Sequence, residues 1–121
     1  KVCKPRQFAF VQTTHNEKVF AYAFNDSGKD IVVSSVNEVF STDEEQLYPE
    51  YLCMFFNRKE FDRYARFHSH GSVREIFDWE EMGNVELPIP DIEEQKKIVE
   101  AYNTIERRIA LKRQINDNLA A

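Results

Sequence analysis

Glycine is scarce in this chain, with three among 121 residues, at positions 28, 71 and 83. That scatter excludes a glycine-rich loop that cradles phosphate. Cysteine is scarcer still: Cys3 and Cys53 lie far apart with no second cysteine near either. Zinc-type spacings are therefore absent; spacing alone leaves one bridge open, and two free thiols in an intracellular protein are the simpler expectation. No serine or cysteine occupies a nucleophile elbow. No apolar run approaches the ~18 residues of a membrane span, so a soluble protein with no membrane partner is expected. Positive charge is in deficit: the net charge is −5 at pH 7, which argues against attraction of the whole surface to phosphate. Nothing in the pattern points to catalysis, and the residues that remain point to binding.

What is present is ordinary globular material, 42% hydrophobic and 31% charged, in a length that fits one domain and is short for two. The chain opens at Lys1 without a leader pattern and its last helical pattern is still in phase at Ala121, so a piece of a longer chain is expected. The charge is unevenly spread. From Arg58 to Arg74 five basic residues (Arg58, Lys59, Arg63, Arg66, Arg74) face two acidic ones (Glu60, Asp62), with His68 and His70 besides. From Asp78 to Glu94 there are seven acidic residues and no basic ones. An acidic protein can still present a local basic face.

The first third reads as strands, "FAFVQ", "VFAYAF" and "IVVSSVNEVFST", rich in β-branched and aromatic residues. "NDSGKD" has turn chemistry, which predicts a hairpin between Val19–Phe24 and Ile31–Ser35. Pro49 suits the first turn of a helix. Leu52, Phe55, Phe56, Lys59, Phe61 and Tyr64 follow mainly at spacings of three and four, which predicts one amphipathic helix over about residues 49–67. "HSHGS" breaks it. "REIFDWEEM" predicts a short helix with Ile76, Phe77 and Trp79 as core anchors, stopped by Gly83 and Asn84. "VELPIP" then runs extended, because each proline fixes its own φ and keeps the preceding residue out of the α region. Asp91 with Glu94 three residues on is a capping box. Ile98, Tyr102, Ile105 and Ile109 recur as a heptad seam that resumes at Leu119, with Leu111 and Ile115 opening a neighbouring stripe. A helix of about thirty residues spans roughly 45 Å, longer than so small a domain can cover, so something else must pack on it.

Three patterns are candidate sites. "PDIEEQKK" has the letters of a metal-nuclease motif, but its Asp and Glu fall within one helical turn, where capping accounts for them. His68 and His70 form H-x-H with no third ligand type nearby, so a solvated pair is the simpler reading and no metal is expected. "RKEFDRYARFHSHGSVR" ends a helix in a polar loop whose Arg66, His68, His70, Ser72 and Arg74 can meet phosphates or base edges. The competing reading is a solvated face neutralised by Glu60 and Asp62. A second polar loop, "QTTHNEK", lies between two strands.

The ordered series "FAF", "IVVSS…VF", "LYPEYLCMFFNRKEF", "GSVRE" and "LPIPDIEEQKKIVEAY" resembles the target recognition domain of a type I restriction-modification DNA specificity subunit. Pro88, Pro90, Gln95, Ile98 and Val99 match that family's segment leading into its conserved-region helix. The resemblance implies an α+β fold, a small twisted β-sheet with packed helices followed by a protruding coiled-coil-forming helix. It divides the chain into residues 1–90, a recognition domain truncated at its N-terminus, and 91–121, a conserved-region helix, with Pro88 and Pro90 as the hinge. It implies a non-catalytic, prokaryotic, cytoplasmic component that reads half of a bipartite site in double-stranded DNA. The partners implied are methyltransferase (modification) subunits, indirectly a motor-nuclease (restriction) subunit, and a second recognition half or a second copy on the seam Ile98, Tyr102, Ile105, Ile109 and Leu119. No cofactor is implied on this chain; S-adenosylmethionine would be held by the methyltransferase. Carried over, the loop around Ser72 and Arg74 lies near DNA, and Gln12, Thr13, Thr14, His15 and Lys18 are the base-reading expectation.

Two alternatives stand beside this. A pure interaction module predicts oligomers through Ile105 and Ile109 without DNA affinity. A metal hydrolase using His68, His70 and Glu94 predicts a bound divalent ion.

Overall fold

A computed structural model describes residues 1–12, 20–68 and 77–120. Five short strands come first: β1 (Val2–Cys3), β2 (Phe8–Val11), β3 (Tyr22–Phe24), β4 (Ile31–Val32) and β5 (Asn37–Phe40). Four helices follow: α1 (Pro49–Phe56), α2 (Lys59–Phe67), α3 (Trp79–Gly83) and α4 (Ile92–Ala120). The expected mixed α+β architecture with a long last helix is what is found.

β2 is the centre of an antiparallel three-stranded sheet ordered β3-β2-β5. Its register sets Phe8 opposite both Phe24 and Phe40, so three phenyl rings share one face, with centroids 4.8 and 5.1 Å from Phe8. Directly opposed aromatic residues are among the cross-strand pairs that stabilise a sheet. Phe56 of α1 meets Phe8 edge-on at 5.8 Å, and Phe20, Phe61 and Phe77 close the core. The core is thus mainly aromatic.

The expected hairpin between Val19–Phe24 and Ile31–Ser35 is not formed. β3 pairs with β2, while β4 pairs with β1, Val2 opposite Val32 and Cys3 opposite Ile31. The cause is Asn25, buried at the start of the turn. Its Nδ2 donates to the Cys3 carbonyl at 2.9 Å and the Lys29 carbonyl at 2.7 Å, and its Oδ1 accepts from the Ser27 amide. This ties the loop to β1 and carries the following strand away from β3, with Gly28 taking φ 77° where a side chain would be strained. Arg6, also left-handed at φ 66°, is held there by its amide on the Asn25 carbonyl and by a bidentate pair with Glu50 at 2.9 and 3.0 Å.

The single helix expected over 49–67 is two. Arg58 is extended, with ψ 142°, and the chain turns at Asn57, whose Oδ1 accepts from the Tyr22 hydroxyl at 2.7 Å. The break folds Phe61 back onto Phe56, 4.8 Å between centroids; a continuous helix could not bring both rings into the same aromatic cluster. α3 stops at Gly83 and Asn84 as expected but starts at Trp79, later than "REIFDWEEM" predicts: Asp78 is extended and caps it, its side chain accepting the Glu81 amide at 3.0 Å. Of its expected anchors Phe77 is fully buried, Ile76 lies outside the described residues, and Trp79 is 48% exposed. Trp79 lies against Phe10 and Phe40 at the edge of the core.

Candidate nucleic-acid interface

α2 places its apolar side, Phe61 and Ala65, in the core and its basic side outward. Lys59, Arg63 and Arg66 are all exposed. The two acids that could neutralise this face are partly engaged elsewhere. Asp62 accepts the Phe20 amide at 3.0 Å, and Glu60 pairs with Arg58 at 3.7 Å, whose guanidinium lies over Phe55. Among the described residues no carboxylate pairs with Arg63 or Arg66.

Arg66 stands in the last turn of α2 and His68 caps it. The His68 ring lies 4.2 Å from Tyr64, with its Nδ1 3.7 Å from Glu81. Gln12 directly follows β2: its Nε2 donates to Glu38 at 2.9 Å and its carbonyl accepts the Phe77 amide at 2.7 Å. The other expected DNA-facing residues, Thr13, Thr14, His15, Lys18, His70, Ser72 and Arg74, lie outside the described residues. The residues bracketing the two polar segments nevertheless meet. Gln12 is bonded to Phe77, Phe20 and Phe77 pack edge to face at 6.0 Å, and Tyr64 touches both Phe77 and His68. Far apart in sequence, the two segments leave and rejoin the described structure at one end of the core.

The second surface is the helix. Asp91 caps α4, its Oδ1 accepting the Glu94 amide at 3.0 Å. Ile98 is half-buried against α1, where it lines a groove of about 330 Å³ with Tyr51, Met54, Phe55 and Tyr102. Farther out the seam is bare: Ile105 is 55% and Leu119 79% exposed, and Tyr102, Ile109, Leu111 and Ile115 are open as well. Only Gln95 and Val99 of α4 are buried. The proline segment before α4 is held by two hydrogen bonds, the Tyr51 hydroxyl donating to the Pro88 carbonyl at 3.0 Å and the Gln95 amide to that of Pro90 at 2.8 Å.

Two features of the structure are missed in the residue pattern: the Arg6–Glu50 pair, whose partners are far apart in sequence and leave no signal, and the bonding role of Gln95. The latter's one local signal is an uncharged amide directly after two acidic residues in the first turn. Both cysteines are free. Burial raises the Cys3 thiol above its ordinary value and pushes Cys53 up to about 11, so neither is a nucleophile at neutral pH. Among the described residues no group of three or more His, Cys, Asp or Glu side chains is placed to hold a metal ion, and no helix is long and apolar enough to cross a membrane.

The class these features define is a small α+β binding domain that carries a long last helix. The chain belongs to the type I restriction modification DNA specificity domain family, whose profile matches residues 12–121. It is therefore a target recognition domain that recognises DNA sequence, and it is the non-catalytic component of complexes in which modification and restriction subunits do the chemistry. Comparison with the curated proteins finds no match. The metal-hydrolase alternative is set aside by the family's non-catalytic role.

Proposed function

We propose that residues 1–90 read one half of a bipartite DNA site and that residues 91–121 join that reader to its counterpart. On this reading the segments Gln12–Lys18 and Arg66–Arg74 act as one DNA-facing surface. The observation that carries it is the hydrogen bond from the Phe77 amide to the Gln12 carbonyl, which ties the first residue of one donor-rich segment to a residue shortly after the other. Arg66 and His68, with Thr13, Thr14, His15, Lys18, His70, Ser72 and Arg74, supply the donors that base edges and phosphates accept. Arg63, exposed and without a carboxylate partner among the described residues, adds charge on the same helix. The bare α4 seam takes a second conserved-region helix, from the same subunit or a second copy. Methyltransferase subunits in a prokaryotic cytoplasm bring S-adenosylmethionine and extrude the target base.

The test is selection from randomised duplex DNA, across a salt series, by the specificity subunit assembled with its modification subunits. Wild type is expected to select a bipartite motif. Lys18→Ala is expected to flatten the salt dependence by about 0.9 in log–log slope if it holds one phosphate. Arg74→Ala is expected to relax one position of the motif by about 1–3 kcal/mol if it reads a base. Absence of any motif, with the complex assembled and folded, would leave an interaction module that docks only proteins, a reading the net charge of −5 favours.

A further inference from the structure

Gln95 sits in the first turn of α4 with no exposed surface. Its amide makes three hydrogen bonds: Nε2 donates to the Gln46 carbonyl at 2.7 Å and to the Pro90 carbonyl at 2.8 Å, and Oε1 accepts the Tyr48 amide at 2.8 Å. One side chain thus joins the segment before α1, the proline spacer and the long helix. Only a primary amide at this reach fits. Glutamate would set a carboxylate against two carbonyls, and methionine would leave all three backbone groups unpaired.

An apolar residue would anchor a helix root as well by area, but burial is non-directional. Three bonds with defined angles fix rotation about the helix axis and tilt together. Ile98 and Val99 add apolar packing, and beyond them nothing holds the helix, because every residue from Glu100 to Ala120 is exposed. Ala120 lies about 37 Å along the axis from Gln95, so a tilt of about 10° at the root carries it roughly 6 Å, close to two base-pair rises of about 3.4 Å.

Resting on the reading of α4 as the connector between half-sites, we infer that Gln95 is a positioning residue that sets which half-site separation the subunit accepts. It touches no DNA. It fixes the angle at which the reader is carried.

The test uses the assembled specificity and modification subunits and duplexes in which the wild-type half-sites are separated by different spacers. Wild type is expected to prefer one spacer over its neighbours by about tenfold, since one added base pair turns a half-site by about 35°. Gln95→Met and Gln95→Glu are expected to keep the half-site sequences while that preference falls to about threefold or less. Unchanged spacer preference in folded variants overturns the inference, as does loss of half-site sequence and spacer preference together. Failure of wild type to select any bipartite site is a failure of the underlying reading instead, and is seen before any variant is made. If Gln95→Met does not fold, a DNA-free measurement on Gln95→Asn replaces it: electron–electron distances between spin labels on non-natural residues at Asp30 and Arg113. The distribution is expected to broaden in Gln95→Asn and to stay narrow in the core variant Phe61→Leu; equal widths overturn the inference.

Discussion

Cys53 shows how position changes a residue's chemistry without any catalytic purpose. Burial is the main reason its thiol is pushed up to about 11 from an ordinary 9.0. The folded chain therefore keeps this proton over a range in which the unfolded chain has lost it. The stability tied to the group is complete below about pH 9 and is lost as pH rises from 9 toward 11. Alkylation of Cys53 by iodoacetamide is accordingly expected to be slow at pH 8 and to accelerate only above pH 10, with Cys53→Ser as the control that isolates it from Cys3. A thiol modified readily at pH 8 would contradict the packing described for α1. Asn25 and Gln95 make the complementary point. Each is a buried amide whose donors and acceptor are taken by backbone groups, so each decides where a segment goes. Leaving such groups unpaired costs about 1–3 kcal/mol apiece.

At the scale of elements, α2 does two things with its two sides. The Phe61 and Ala65 side closes an aromatic core, and the Arg63 and Arg66 side stays in water without a carboxylate partner among the described residues. Charge reversal on the exposed side touches no packing. The double variant Arg63→Glu, Arg66→Glu is expected to unfold within about 0.5 kcal/mol of wild type in urea. The assembled complex carrying it is expected to bind DNA more weakly, with the salt slope reduced by about 0.9 for each phosphate no longer neutralised. Unaltered binding would remove α2 from the interface and leave its basic side as a solvated face. The same helix explains why one amphipathic pattern became two elements. Spacings of three and four continue across Asn57 and Arg58, and a local reading has no reason to stop there. The stop is imposed from outside, by the Tyr22 hydroxyl on Asn57 and by the fit of Phe56 and Phe61 around Phe20.

For the whole molecule the outstanding fact is disproportion. A helix of 29 residues roots in the body through its first two turns and then carries an apolar stripe into solvent. Ile105 and Ile109 contribute little to the fold of one chain, being half or more than a third exposed, so Ile105→Asp with Ile109→Asp is expected to leave the chain folded, within about 1 kcal/mol of wild type. If the stripe is the pairing surface, light scattering is expected to report a monomer for that variant where wild type associates. An associated variant with native circular dichroism would move the pairing surface off this seam. The acidic total of −5 is compatible with DNA reading at this scale because an acidic protein can present a local basic face, and Lys59, Arg63 and Arg66 of α2 are all exposed.

What the sequence determined by itself was everything that depends on neighbours in the chain. The cap at Asp91, the helix start at Pro49, the stop at Gly83 and Asn84, the span of α4 and its apolar stripe all follow from residues within a turn or two of one another. The family was legible for a related reason: its motifs are short ordered strings read along the chain. Tertiary structure decided what depends on partners far away. It chose β1 over β3 as the partner of β4, because the buried Asn25 amide needs the Cys3 carbonyl. It split α1 from α2, joined the brackets of the two polar segments through Gln12 and Phe77, and gave Gln95 its three bonds. Hydrogen bonds and ring contacts between residues tens of positions apart leave no periodicity behind, since either partner alone is an ordinary polar or aromatic residue; only folding brings the pair into reach.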